Sequence, residues 1–362
     1  MLRVLIARWT VLVPLLAVLA LAATWGRSLP GVAVTIVVLA LVGAVLAAVH
    51  HAEVVARRVG EPFGSLLLAV AVTVIEVALI LTLMTQGGDK TATLARDTVF
   101  AAAMITCNGI FGLCLLVGAL RRRVAVFNAE GTGAALATVT TLATLSLVLP
   151  TFTTSKPGPE FSPAQLAFAA VASLALYGLF VMVQTVRHPD DFLPVEAGGV
   201  VADEEHAEAP SGRAALAALA LLLVALICVV GLAKVVSPAV ESAVQSAGLP
   251  QSAVGVVIAL LVLLPETIAA VRAARRDQVQ IGLNLALGSA MASIGLTIPA
   301  IAVASIWLDG PLVLGLGATQ MVLLALTVVV GGLTIVPGRA TLLQGGVHLA
   351  VFAAFVGLAA SP

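Results

Sequence analysis

The stretch Ser65-Leu-Leu-Leu-Ala-Val-Ala-Val-Thr-Val-Ile-Glu76 lies without gaps over Gly255-Val-Val-Ile-Ala-Leu-Leu-Val-Leu-Leu-Pro-Glu266. Few residues are identical. The shared feature is one acid at the same place in an otherwise apolar run. Each run belongs to one of eleven apolar stretches, at about 9–26, 31–49, 64–84, 97–119, 132–150, 162–186, 214–236, 252–271, 281–307, 311–332 and 341–360. Of the 362 residues, 61% are hydrophobic and 10% charged, against about 25% charged in a soluble domain. Such a chain cannot cover a water-facing surface. Runs near 20 residues suit membrane helices, so the sequence predicts an all-α integral membrane protein with about eleven spans.

The acid-bearing runs set the internal order. Spans two to six and seven to eleven form two sets of five, and an odd number inverts the second set in the membrane. Inverted repeats of this kind build many transporters. The expected divisions are an N-terminal transmembrane helix (1–30), a first five-helix repeat (31–186), a linker (187–213) and a second five-helix repeat (214–362). The first run follows Arg3 and Arg8 and contains Ala20-Leu21-Ala22, which also fits a cleaved signal peptide. Its length, with Trp9 and Trp25 at the ends like an interfacial belt, favours a retained helix.

Basic residues set the orientation. With the N-terminus cytoplasmic, 13 of the 18 Lys and Arg fall on inside segments and 5 outside, as the positive-inside rule requires. The C-terminus then lies outside, in an inner or plasma membrane. Net charge is zero, which argues against nucleic acid as a partner. Cys107, Cys114 and Cys228 lie in apolar runs without metal-ligand spacing and read as packing residues. Oligomeric state is left open.

Sixteen of the 18 carboxylates fall in loops or near span ends; Glu76 and Glu266 do not. Glu76 comes about 12 residues into its span and Glu266 about 14 into its own, or roughly 18 and 21 Å at 1.5 Å per residue. Both depths are near the middle of a hydrocarbon layer of about 30 Å, the two helices crossing in opposite directions. A charge there costs about 2.5–3.5 kcal/mol, and no Lys or Arg lies deep enough to pair with it. One reading keeps both acids protonated and hydrogen-bonded between helices. The functional reading is exchange: low dielectric favours the protonated carboxyl and an arriving cation the ionised one, so proton release and cation capture become one event.

Oxygen donors surround the two acids in sequence. They are Thr73 one turn before Glu76, Thr267 after Glu266, and Asn108, Asn284, Ser289 and Ser293 on the following spans. Such donors suit hard cations rather than zinc or copper. Two carboxylates match one divalent ion, which favours calcium, and leave sodium or potassium open with one acid still protonated. Pro265 removes a helical N–H and disturbs the carbonyl of Leu261, so it reads as a helix break that frees backbone oxygen at depth, or as a simple packing kink. Small residues on span nine (Gly282, Gly288, Ser289, Ala290, Ala292, Ser293, Gly295) and span four (Ala101, Ala102, Ala103, Gly109, Gly112) permit close helix approach.

At these residues the sequence resembles the cation/calcium exchanger superfamily, and within it bacterial calcium/proton antiporters that also move sodium or potassium. The matching stretches are Glu61-Pro62-Phe63-Gly64-Ser65 leading to Val74-Ile75-Glu76-Val77, Leu264-Pro265-Glu266, Asn284-Leu285, Gly288-Ser289, Ser293-Ile294-Gly295-Leu296-Thr297-Ile298-Pro299 and His348-Leu349-Ala350. The resemblance implies ten core helices in two inverted repeats after one extra helix. It also implies that Glu76 and Glu266 alternate between proton and cation with alternating access, without a cofactor. Two departures from the family pattern are Ala103-Met104, where many exchangers carry Gly-Ser, and Gln320, where relatives can carry an acid.

Residues 188–212 form the one long hydrophilic segment, rich in acids and in Gly and Pro. It reads as a flexible cytoplasmic tether, or as a regulatory calcium collector through Asp203, Glu204, Glu205 and Glu208. His50 and His51 end span two near Glu53 and could pass protons inward, though interfacial histidines are usually just solvated. His348 lies inside span eleven and reads as a core hydrogen-bonding residue. The expected function is therefore a proton-driven antiporter that expels calcium, with a sodium(potassium)/proton antiporter as the alternative. A membrane hydrolase would need an intramembrane Asp pair or a nucleophile–base pair, and a channel would carry flux independent of a proton gradient.

Overall fold

A computed structural model describes residues 9–27, 30–60, 63–87, 92–194, 210–250, 252–307 and 310–361. The chain is nearly all helix. Its elements are α1 (Trp9–Thr24), α2 (Gly31–Val59), α3 (Phe63–Gly87), α4 (Leu94–Met104), a π-turn (Ile105–Ile110), α5 (Phe111–Arg122), α6 (Ala129–Ala143) and α7 (Pro163–Met182). They continue with α8 (Gly212–Ser246), α9 (Ser252–Val262), α10 (Leu264–Arg275), α11 (Val279–Ala304), α12 (Ala318–Ile335) and α13 (Leu342–Ala360). A two-residue antiparallel pair, β1 (Ala125–Val126) with β2 (Arg339–Ala340), is the one sheet among the described residues.

Eight helical runs among the described residues are long and apolar enough to cross a membrane, and counting the bent pair α9–α10 makes nine. The shorter apolar stretches Trp9–Thr24 and Ala69–Thr85 stand where the sequence predicts its first and third spans. By length alone the expected count of eleven is not reached.

The helices gather into two compact units. The first holds α1, α2, α3 and α8, with α2 packed along α8 and α1 lying against both. Small residues make room for α1: a Cβ at Gly43 would stand 2.9 Å from Val13 Cγ1, and one at Gly231 2.7 Å from Leu21 Cδ1.

The second unit is built around the continuous run Leu94–Arg122, whose apolar window is 89% buried. Its π-turn holds a threonine that bonds back to the preceding turn. The Thr106 hydroxyl donates to the carbonyls of Ala102 (2.7 Å) and Ala103 (3.1 Å), competing with the helical ladder. Around this run pack α9, α10, α11 and α13. The glycines at these crossings are filled by neighbours: a Cβ at Gly345 of α13 would lie 2.8 Å from the Leu116 nitrogen, and one at Gly295 of α11 2.8 Å from Tyr177 Cβ.

Span ten departs from the sequence reading. The apolar run 311–332 predicts helix from its start, whereas α12 begins at Ala318 and residues 311–317 carry no regular secondary structure. Pro311, Gly315 and Gly317 disfavour helix, and the segment's polar backbone finds partners elsewhere. The Val313 nitrogen donates to the Ala92 carbonyl (3.1 Å), Gly315 to Pro159 (3.0 Å) and Leu316 to Leu147 (2.8 Å). Irregular backbone packed among apolar helices persists only when its polar groups find partners in this way.

Candidate cation and proton site

Glu76 lies in the middle of α3, 3% exposed, with Thr73 buried one turn before it. In an α-helix residues three apart share a face, so hydroxyl and carboxylate point the same way.

Glu266 stands in a different setting. α9 ends at Val262, α10 starts at Leu264, and the two axes diverge by 52°. Pro265 occupies the first turn of α10, where its missing N–H costs nothing. Glu266 follows in that same turn, facing the helix end whose partial positive charge stabilises a carboxylate. The Thr267 hydroxyl donates to the Leu263 carbonyl (2.7 Å), which leaves its oxygen as acceptor only. The broken helix lies against the most buried part of the unit, α9 along α4, with α10 beside α5 and the π-turn.

Asn108 sits in the π-turn at 0% exposure. Its carboxamide nitrogen donates to Thr327 Oγ1 (2.8 Å), and its oxygen accepts from His348 Nδ1 (3.2 Å). On α11, which packs against the π-turn, Ser293 is buried and Ser289 half-buried one turn earlier, on the same face.

Asn284 belongs elsewhere. It lies about 13 Å along the α11 axis from Ser293 at 1.5 Å per residue, and its side chain is held by other groups. Its nitrogen donates to the Phe192 carbonyl (2.7 Å) and its oxygen accepts from Gln280 (2.8 Å). Gln280 in turn reaches Thr132 Oγ1 (3.2 Å) and the Asn128 nitrogen (2.6 Å). The structure thus gathers Asn284 into a polar cluster at one end of α11, over the start of the hydrophilic segment.

The histidine pair ending span two is structurally engaged. His51 Nε2 donates to the Thr10 carbonyl (2.8 Å), and the His50 ring packs 5.9 Å from Trp9 and 5.5 Å from His51. Both side chains tie α1 to α2. Asp203, Glu204, Glu205 and Glu208 lie outside the described residues.

Burial does not single out the two expected acids. Asp97, in the first turn of α4, is 4% exposed, and Glu266 is only half-buried. Asp97 Oδ1 accepts from Arg96 Nε (2.8 Å) and from Gln320 Nε2 (3.2 Å). A Cβ at Gly255 would stand 2.9 Å from the Thr98 nitrogen and 3.2 Å from Asp97 Cβ, so α9 seals the acid from one side. Sequence position near a span end hides this burial, because it comes from a helix more than 150 residues away. The small glycine at 255 is the one sequence trace, and it has too many other causes to read alone. Glu160, also buried, pairs with Lys156. At the far end of the unit, Arg122 (3.2 Å) and Arg121 (3.5 Å) meet Asp277. The Arg122 hydrogen bond is the main reason that carboxyl stays below its ordinary range.

Among the described residues no group of three or more His, Cys, Asp or Glu side chains could hold a metal ion.

The sodium/calcium exchanger protein family matches residues 9–186 and 217–360, taking in both acid-bearing helices. The chain belongs to that family. Within the sodium/calcium exchanger family, its relatives include y4hA of Sinorhizobium fredii, provisionally named an ionic transporter. That protein is 47% identical over 98% of this chain and 96% of its own. The sodium-potassium/proton antiporter ChaA of Escherichia coli is 35% identical over 92% of this chain and 91% of its own. Among solved structures, the H+/Ca2+ exchanger CAX superposes with TM-score 0.69 at 17% identity, covering 95% of this chain and 85% of that one. That likeness speaks for the fold. As a member of this exchanger family the chain is a multi-pass membrane transport protein.

Proposed function

We propose that the chain is a secondary antiporter, a carrier rather than an enzyme, that exchanges protons for calcium by alternating access. One observation carries this reading: Glu76 and Glu266 hold the same register in two apolar runs that the sequence reading assigns to inverted repeats. In the proposal each of the two acids holds either a proton or part of a cation's coordination. Thr73, Ser289, Ser293 and Asn108 supply neutral oxygens, and the break at Pro265 supplies backbone carbonyl. Calcium's preference for six to eight oxygens suits that donor set. Binding one divalent ion releases the protons that low dielectric otherwise keeps on the carboxyls, so neither species crosses without the other. The N-terminus is proposed to be cytoplasmic and the C-terminus outside, with 31–186 and 214–362 as the two repeats and 187–213 as the tether.

A second reading, sodium(potassium)/proton antiport with little calcium movement, is favoured by the 35% identity to an antiporter named for those ions. Inverted vesicles separate the two. Each cation is titrated against dequenching of a pH-gradient dye, and calcium is expected to act at the lowest concentration. Glu76→Gln and Glu266→Gln are each expected to abolish cation-driven proton release while the protein still accumulates in the membrane. Full activity in either variant contradicts the proposed mechanism.

A further inference from the structure

A directed hydrogen-bond chain runs through the second unit, and its middle member is Asn108. Thr327 Oγ1 donates to the Leu323 carbonyl (2.8 Å), so towards Asn108 it can only accept. The Asn108 nitrogen supplies that hydrogen at 2.8 Å. This turns the carboxamide oxygen to the other side, where His348 Nδ1 lies at 3.2 Å. An amide oxygen only accepts, so Nδ1 carries the ring hydrogen. In the neutral ring Nε2 is then an acceptor, and Thr334 Oγ1 lies 3.3 Å from it. The chain reads Thr334 to His348 to Asn108 to Thr327 to Leu323, every donor pointing the same way. All four side chains are buried.

The backbone around His348 is shaped to admit the ring. A Cβ at Gly112 would stand 2.9 Å from His348 Cβ, and the Phe111 ring packs at 4.9 Å.

We infer that His348 is a positioning residue of the cation site, fixing which end of the Asn108 carboxamide faces the cation. The inference rests on the antiport reading above. An amide oxygen has two lone pairs; the His348 hydrogen takes one, leaving the other for a cation. Without His348 only the Thr327 contact orients the carboxamide, so a half-turn that presents its N–H donors, which repel a cation, costs less. His348 therefore sets affinity, and it does so from α13 without touching the ion.

The test measures half-maximal cation concentration and maximal rate of proton release in inverted vesicles carrying the full chain. His348→Phe keeps the ring volume and removes the donor; it is expected to raise the half-maximal concentration about fivefold, one lost hydrogen bond, with maximal rate little changed. His348→Gln, whose amide still donates, restores most of the affinity. Thr334→Val, which loses only the hydroxyl, shifts affinity the same way by less, and it decides the question if the Phe variant does not accumulate. In an Asn108→Ala background His348→Phe adds nothing further, because its effect passes through Asn108. An unchanged half-maximal concentration, or an equal further loss in the Asn108→Ala background, overturns the inference. Glu76→Gln run in parallel keeps the readings apart: activity there sinks the antiport mechanism, whatever His348 does.

Discussion

Gly282 and Gly288 lie on one helix and look alike in sequence, yet their surroundings differ. A Cβ at Gly282 would stand 2.8 Å from Cys114 Sγ and 3.0 Å from the Ala270 carbonyl, whereas one at Gly288 would meet no atom within 4 Å. Gly282 is where α11 closes on both α5 and α10, the helix that carries Glu266. Gly282→Val should therefore destabilise the protein by about 1–3 kcal/mol, the usual cost of overpacking, while Gly288→Ala should be neutral or stabilising by up to about 1 kcal/mol. Thermal unfolding of the detergent-solubilised variants checks this, and equal melting points for the two would refute the close-packing account. Sequence marks both as small residues of span nine but does not distinguish them, because the neighbours are set by tertiary contacts. Asp97 is the same case. Its charge is visible, but its burial depends on Gly255, and its partner Gln320 is more than 200 residues away.

At the scale of elements, the break between α9 and α10 was open to reading and the start of α12 was not. A proline inside an apolar run acts through its own missing N–H and its ring, so its effect is local and position 265 announces it. The irregular segment 311–317 depends on donors and acceptors from Ala92, Arg96, Leu147, Thr151 and Pro159, none of them near in sequence. Hydropathy therefore places the span correctly and its helix start seven residues early. The break also makes a prediction. Pro265→Ala restores an N–H that can bond the Leu261 carbonyl across the break and removes the ring that crowds it, so the α9–α10 segment should straighten from its 52° bend. The variant should melt at an equal or higher temperature and transport more slowly, since Glu266 leaves the first turn of a separate helix. A variant that is no less stable and fully active would show that the bend is a packing feature only.

At the scale of the whole chain, the inside and outside loops read from the sequence sort themselves by contact within the second unit. Segments assigned to the cytoplasm bond to one another: Arg122 to Asp277, Asn128 to Gln280, Phe127 to Gly338, and Val126 to Arg339 through the strand pair. The start of span ten, on the side assigned outside, meets other segments assigned there: Val313 to Ala92, Gly315 to Pro159, and Arg96 to Gly315. These ties fix which loops share a side. Which side is cytoplasmic comes from charge, 13 basic residues against 5, and that bias acts during insertion rather than in folded contacts. Impermeant maleimide labelling of intact cells tests it. Thr154→Cys, at an exposed position expected outside, should label directly, whereas Asp190→Cys, exposed and expected inside, should label only after permeabilisation. The native Cys107, Cys114 and Cys228 are all buried and contribute little background. The reverse pattern would turn the protein over while leaving its fold intact; proton-driven export would persist, because an antiporter's direction is set by the side on which protons are abundant and not by the carrier's own orientation.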